Sequence, residues 1–169
     1  GYRFGSAERA RIYLTNALKP WVKQLPLIGF DALAHEAAAV NEIKRHKRFT
    51  VVIGNPPYDR ESRSANDGGP RKGGVVRHGA AGLPPLISDY LKPLQEAGLS
   101  GKHARSLYND YVYFWRWATW QATQLPPGPG IVAFITASSY LDGKSMAGLR
   151  SHLRDAFDQL WIIDLGGEG

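Results

Sequence analysis

Asn55-Pro56-Pro57-Tyr58 holds the residues in this chain whose types and spacing could do chemistry. Each proline fixes its own φ and lacks an N–H, so the carbonyls here remain acceptors with no helix to satisfy them. The Asn55 side chain adds a further acceptor, Oδ1, beside the Pro56 carbonyl. Tyr58 adds a flat face, and stacking a base on such a face is worth about 1–3 kcal/mol. Two acceptors beside a stacking platform suit an aromatic amino group, such as N6 of adenine. Accepting both N–H hydrogens turns the nitrogen lone pair out of conjugation and aims it at an electrophile, with no charged base needed beforehand. The plainer reading is a turn, because Asn-Pro commonly marks one.

The elements around the motif decide between these readings. Phe49–Ile53 (FTVVI) precedes it and reads as a strand. So do Arg11–Leu14, Ile131–Thr136 and Leu160–Leu165, and the last three of the four in chain order are apolar enough for a sheet covered on both faces. Helical patterns lie between them. Asp31–His46 is rich in Ala and Glu with a basic end. Ser106–Gln124 places Leu107, Tyr111, Phe114, Trp115 and Ala118 on one face, and Lys144–Phe157 does the same with Met146, Leu149, Leu153 and Phe157. Alternating strands and helices predict an α/β fold with a doubly wound, mostly parallel, Rossmann-like sheet. In such sheets ligands bind outside the carboxyl ends of the strands, which is where FTVVI would deliver the motif. Residues 59–105, rich in Gly, Pro and Arg, read as a long basic loop inserted at the rim of that site.

Composition narrows the partners. The 169 residues suffice for one sizeable core, and 43% hydrophobic with 21% charged residues is the balance of a globular protein. A formal net charge of +6 favours a polyanion such as nucleic acid. With no cysteine, disulfides and thiolate metal sites are excluded, which fits a cytoplasmic protein. The five histidines show no metal-ligand spacing, so no metal is expected, and no apolar run approaches the ~20 residues that span a bilayer.

VVIGNPPY resembles motif IV of the N6-adenine DNA methyltransferases, in particular the fused restriction–modification enzymes called type ISP. Neighbouring stretches fall in that family's order. RIYLTNAL is similar to motif III, and SLYNDYVYFWRWA to motif V, with Tyr111 and Phe114 on its Tyr-x-x-Phe pattern. GIVAFITASSYLDGKSMAGLR is similar to motif VI and the following helix, and LWIIDLGG to the next strand.

The resemblance implies a class I S-adenosylmethionine-dependent methyltransferase domain over 1–169, acting on an adenine flipped out of double-stranded DNA. It implies that Asn55 and Pro56, with Pro57 completing the motif, hold the amino group while Tyr58 stacks on the base. It makes Asn16 and Phe114 cofactor contacts, though relatives often have Asp where Asn16 stands. It also places the glycine-rich cofactor motif upstream, a target-recognition domain downstream, and the chain within a larger fused polypeptide.

Other readings remain open. The same motif chemistry serves protein-glutamine or RNA guanine-N2 methyltransferases, and a non-catalytic nucleic-acid-binding remnant would keep the fold. The C-terminal IIDLGGEG, with Asp164, Gly166, Gly167 and Gly169, is similar to a cofactor loop of a permuted enzyme. However, only one helix separates it from the preceding strand.

Overall fold

The structure, a computed structural model, describes residue 5 and residues 12–21, 31–58, 73–99 and 101–166. The chain divides into two units: residues 1–17 with 21–47, and residues 18–20 with 48–169. In the first, helix α1 spans Asp31–His46, the bounds its composition predicts. Its last turn carries Lys44, Arg45 and His46, cations that suit the negative end of the helix dipole. From that turn the Lys44 ammonium donates to the Asn16 carbonyl at 2.8 Å.

The second unit is built on two short parallel strands, β1 (Val51–Gly54) and β2 (Ile131–Phe134). Val51 pairs with Ile131, Val52 with Val132, Ile53 with Ala133 and Gly54 with Phe134. A parallel pair needs a crossover. Here it carries helices α2 (Gly74–His78), α3 (Ser88–Glu96), α4 (Lys102–Arg105) and α5 (Asp110–Thr123), and α6 (Ala147–Ala156) follows β2.

Helix α5 is the centre of this unit. Asn109 caps it, accepting from the Val112 N–H at 3.0 Å and donating to the Ser106 carbonyl at 2.7 Å. That cap explains why the helix begins four residues later than the apolar pattern predicts. Ten of its fourteen residues are buried, so α5 has no single apolar stripe but is enclosed on nearly every side. Arg116 is enclosed with the rest. It donates to Asp89 on α3 through Nε at 3.0 Å and Nη2 at 2.5 Å, to the Leu86 carbonyl and to Gln124. Such bonding is what a buried guanidinium requires.

Helices α3 and α6 pack closely. Tyr90 and Leu94 of α3 and Leu149 and Leu153 of α6 are buried. The backbones approach so closely at Gly148 that a Cβ there would fall 1.9 Å from the Tyr90 carbonyl oxygen. Arg48 ties the entry of β1 to the loop before β2 by donating to the Ala122 and Pro129 carbonyls.

One expectation is corrected here. Residues 73–105 are not a loop. They carry α2, α3 and α4 and bury Val75, Val76, Leu86, Ile87, Tyr90 and Leu94. Short helices broken by glycines at positive φ (Gly73, Gly79, Gly82, Gly98) leave little periodicity to read. Residues 59–72 lie outside the described residues.

The fold is α/β as expected, and among the described residues its parallel sheet consists of one pair of strands. In this unit residues 160–165 form no strand, and Trp161, Ile163 and Leu165 are each more than 80% exposed; in the first unit residues 12–14 form none either. A strand exists through its neighbour's hydrogen bonds, and among the described residues none pairs with these runs. Within the described residues of this unit, one face of the sheet is covered. Val52, Val132 and Phe134 face α5, whereas Val51, Ile53, Ile131 and Ile135 are 50–78% exposed.

Candidate active site

The ladder carries one step past β1, where the Ile135 N–H donates to the Gly54 carbonyl at 3.1 Å. The chain then leaves the carboxyl end of the strand as Asn55-Pro56-Pro57-Tyr58. Pro56 is buried, while Asn55, Pro57 and Tyr58 are exposed. Among the described residues, no backbone N–H donates to the Asn55, Pro56 or Pro57 carbonyl. The proline pair itself has no N–H to donate, and it stands just past a strand end.

Aromatic rings support this end of the sheet. Phe134 lies against Gly54, and a Cβ at Gly54 would sit 3.2 Å from Phe134 Cε1. Trp115 meets the Phe134 ring edge-on, with centroids 5.1 Å apart, and Tyr140 lies 5.3 Å from Trp115. Burial raises the Tyr140 pKa and keeps its phenol neutral. Beside them the Tyr111 hydroxyl, in the first turn of α5, lies 2.6 Å from Thr136 Oγ1 and 3.3 Å from the Ala137 carbonyl. That contact fixes the amino end of α5 at the carboxyl edge of the strands.

Asn55, Pro56, Pro57 and Tyr58 therefore stand together at one strand end. Phe114 is half-buried on α5, one turn beyond Tyr111 and on the same side of the helix. Its partly open ring could lie against an adenine. Asn16 is exposed and belongs to the first unit. Among the described residues no group of three or more His, Cys, Asp or Glu could hold a metal.

Sequence reading missed Thr136. Alternation from Phe134 puts it on the α5 face, and the tyrosine in the first turn of α5 is the partner such a hydroxyl would find. Arg116 was missed too, although a lone arginine inside YFWRWATW is the mark of a buried, bonded cation.

Residues 10–169 match the family model described as Eco57I restriction-modification methylase. The chain belongs to that family. Membership makes methyl transfer in DNA modification the activity that this Eco57I-family geometry must serve. No curated protein and no solved structure matches the chain. Among the described residues, no helix is long and apolar enough to cross a membrane.

Proposed function

We propose that this Eco57I-family chain carries the amine-binding part of an adenine-N6 DNA methyltransferase of the type ISP kind. The observation that supports the reading is the place of Asn55 and Pro56 directly past the carboxyl end of β1, where among the described residues no backbone N–H donates to the Pro56 carbonyl, with the exposed Tyr58 two residues on. The substrate is an adenine turned out of double-stranded DNA, because an amine inside the stacked duplex cannot reach such a site.

Asn55 Oδ1 and the Pro56 carbonyl accept the two N6 hydrogens, and Tyr58 holds the ring plane. Pro57 keeps the turn rigid and adds no donor that would compete for those acceptors. So held, N6 presents its lone pair outward, and the positive charge that develops on nitrogen during methylation is met by preorganised carbonyl dipoles. The surplus proton leaves N6 along one of these two hydrogen bonds to solvent. S-adenosylmethionine supplies an electrophilic methyl group and departs as the neutral thioether.

The test is incubation of the full-length protein with labelled S-adenosylmethionine and duplex DNA, beside Asn55→Ala. Label is expected as N6-methyladenine, with turnover reduced on the order of 10²-fold or more in the variant. Label found only on protein or RNA overturns the reading.

A further inference from the structure

Resting on that reading, we infer that the rim around the amino end of α5 is the surface that grips the duplex phosphates flanking the turned-out adenine. Three separate segments bring cations there. Helix α4 leads straight into α5 and contributes Lys102, His103 and Arg105. The 3₁₀ turn Lys144–Met146, reached from the carboxyl end of β2, contributes Lys144. It is joined to α4 by a hydrogen bond of 3.1 Å between His103 Nδ1 and Ser145 Oγ. Arg77, at the end of α2, holds its guanidinium 5.1 Å from the centroid of the Tyr108 ring, and Tyr108 in turn donates its N–H to the Arg105 carbonyl. The Tyr111–Thr136 contact sets this whole rim at the same sheet edge from which Asn55-Pro56-Pro57-Tyr58 emerges.

The charges on this rim differ from several other cations of the unit. Arg116 is spent on Asp89, Arg150 on the Tyr140 and Gly143 carbonyls, and Lys92 pairs with Glu96. Lys102, Arg105 and Lys144 are exposed, and among the described residues no carboxylate is paired with them. Two acids share these segments, Asp110 and Asp142. Asp110 lies in the first turn of α5, where a carboxylate compensates the helix dipole. Four permanent cations (Arg77, Lys102, Arg105, Lys144) against two carboxylates leave the rim positive. A polyanion fits it, and duplex DNA is the polyanion that the adjacent amine site requires.

The experiment uses the full-length protein and a duplex containing its methylation site, with affinity measured across a salt series. Each lost phosphate contact flattens the plot of log affinity against log salt by about 0.9. The triple variant Lys102→Gln, Arg105→Gln, Lys144→Gln is expected to flatten it by about 2.7. Arg154→Gln, an exposed cation in the last turn of α6, is expected to leave the slope unchanged. A triple variant that flattens the slope by less than about one, or by no more per charge than Arg154→Gln, overturns the rim. Methyl transfer to DNA, read in the same preparations, separates the two ideas. Methylation with an unchanged slope sinks the rim alone, whereas absence of label on DNA overturns the site's reading and the rim's role with it.

Discussion

The Phe134 ring lies on Gly54, filling the space where any other residue would carry its Cβ, 3.2 Å from Phe134 Cε1. Gly54, ahead of Asn55 and the proline pair, thus permits a close packing contact that a larger residue would make tighter than usual. It lets an aromatic side chain of β2 brace the end of β1 from below, with Trp115 bracing Phe134 in turn. Gly54→Ala should cost about 1–2 kcal/mol by overpacking and displace the acceptors that follow. Combining it with Phe134→Leu should recover part of that loss. Urea midpoints of the two single variants and the double variant close the cycle, and strict additivity would remove the contact from the account.

The Arg116–Asp89 pair predicts an asymmetry. The Arg116 side chain is 2% exposed and that of Asp89 45% exposed. Asp89→Ala strands a buried guanidinium, at a cost of about 3 kcal/mol. Arg116→Met replaces the cation with an apolar side chain and leaves Asp89 to water, so it should cost less, about 1–2 kcal/mol. Denaturant unfolding of both variants gives the order directly. The reverse order would mean that Asp89, not Arg116, bears the burial.

His152 makes stability depend on pH. Burial lowers its pKa, the Arg116 cation adds to the effect, and Nε2 has no hydrogen-bond partner among the described residues. Its ring meets Tyr90 edge-on at 5.4 Å. Above pH ~6.5 the folded and unfolded imidazoles are both neutral and the residue adds no pH dependence. As pH falls through ~6.5 the unfolded chain takes up a proton that the folded chain resists, so stability is lost on acidification, by at most about 1.4 kcal/mol per pH unit. Urea midpoints at two pH values on either side of ~6.5 should separate less in His152→Leu than in the parent. An unchanged separation would assign the acid sensitivity to other groups.

Gly148 sets the spacing of α3 and α6. A Cβ there would collide with the Tyr90 carbonyl, a backbone atom that no rotamer change can move. Gly148→Ala must push the two helices apart and open the contact around Leu94 and Leu149. The expected cost is about 3 kcal/mol, the upper range for overpacking, seen as a lower thermal midpoint. A midpoint equal to the parent's would mean that the helices separate at no cost.

What could be read from sequence follows from how local each feature is. Helix α1 was legible because composition and a basic final turn are properties of one stretch. The strands β1 and β2 were legible as continuous apolar runs, and the Asn-Pro-Pro-Tyr turn because its acceptors come from consecutive residues. The runs at 12–14 and 160–165 have the same composition, but pairing depends on a neighbour that composition does not supply. Helix α5 was read as one-faced because periodicity assumes water on the other side, and Val75, Tyr90 and Leu149 come from distant parts of the chain to exclude it. The Tyr111–Thr136 contact was invisible for the same reason, since only the β1–β2 register brings a helix start to that strand end.

Tyr58 and Asn55 should separate in kinetics. The Tyr58 ring is about half exposed past the strand end, and on the proposed reading it stacks on the base. Tyr58→Phe keeps that face and should retain most of the affinity for the turned-out adenine. Tyr58→Ala loses stacking worth about 1–3 kcal/mol, or about 5- to 150-fold in binding. Because a stacked base is held in the ground state and the transition state alike, the loss should fall mainly on KM. Asn55→Ala removes an acceptor whose hydrogen bond strengthens as charge develops on nitrogen, so its loss should fall mainly on kcat. A duplex with 2-aminopurine at the target position reports base turning-out by fluorescence, so that Tyr58→Ala should dim the signal and Asn55→Ala should spare more of it. If Tyr58→Phe proves as impaired as Tyr58→Ala, the hydroxyl and not the ring face is what the site uses.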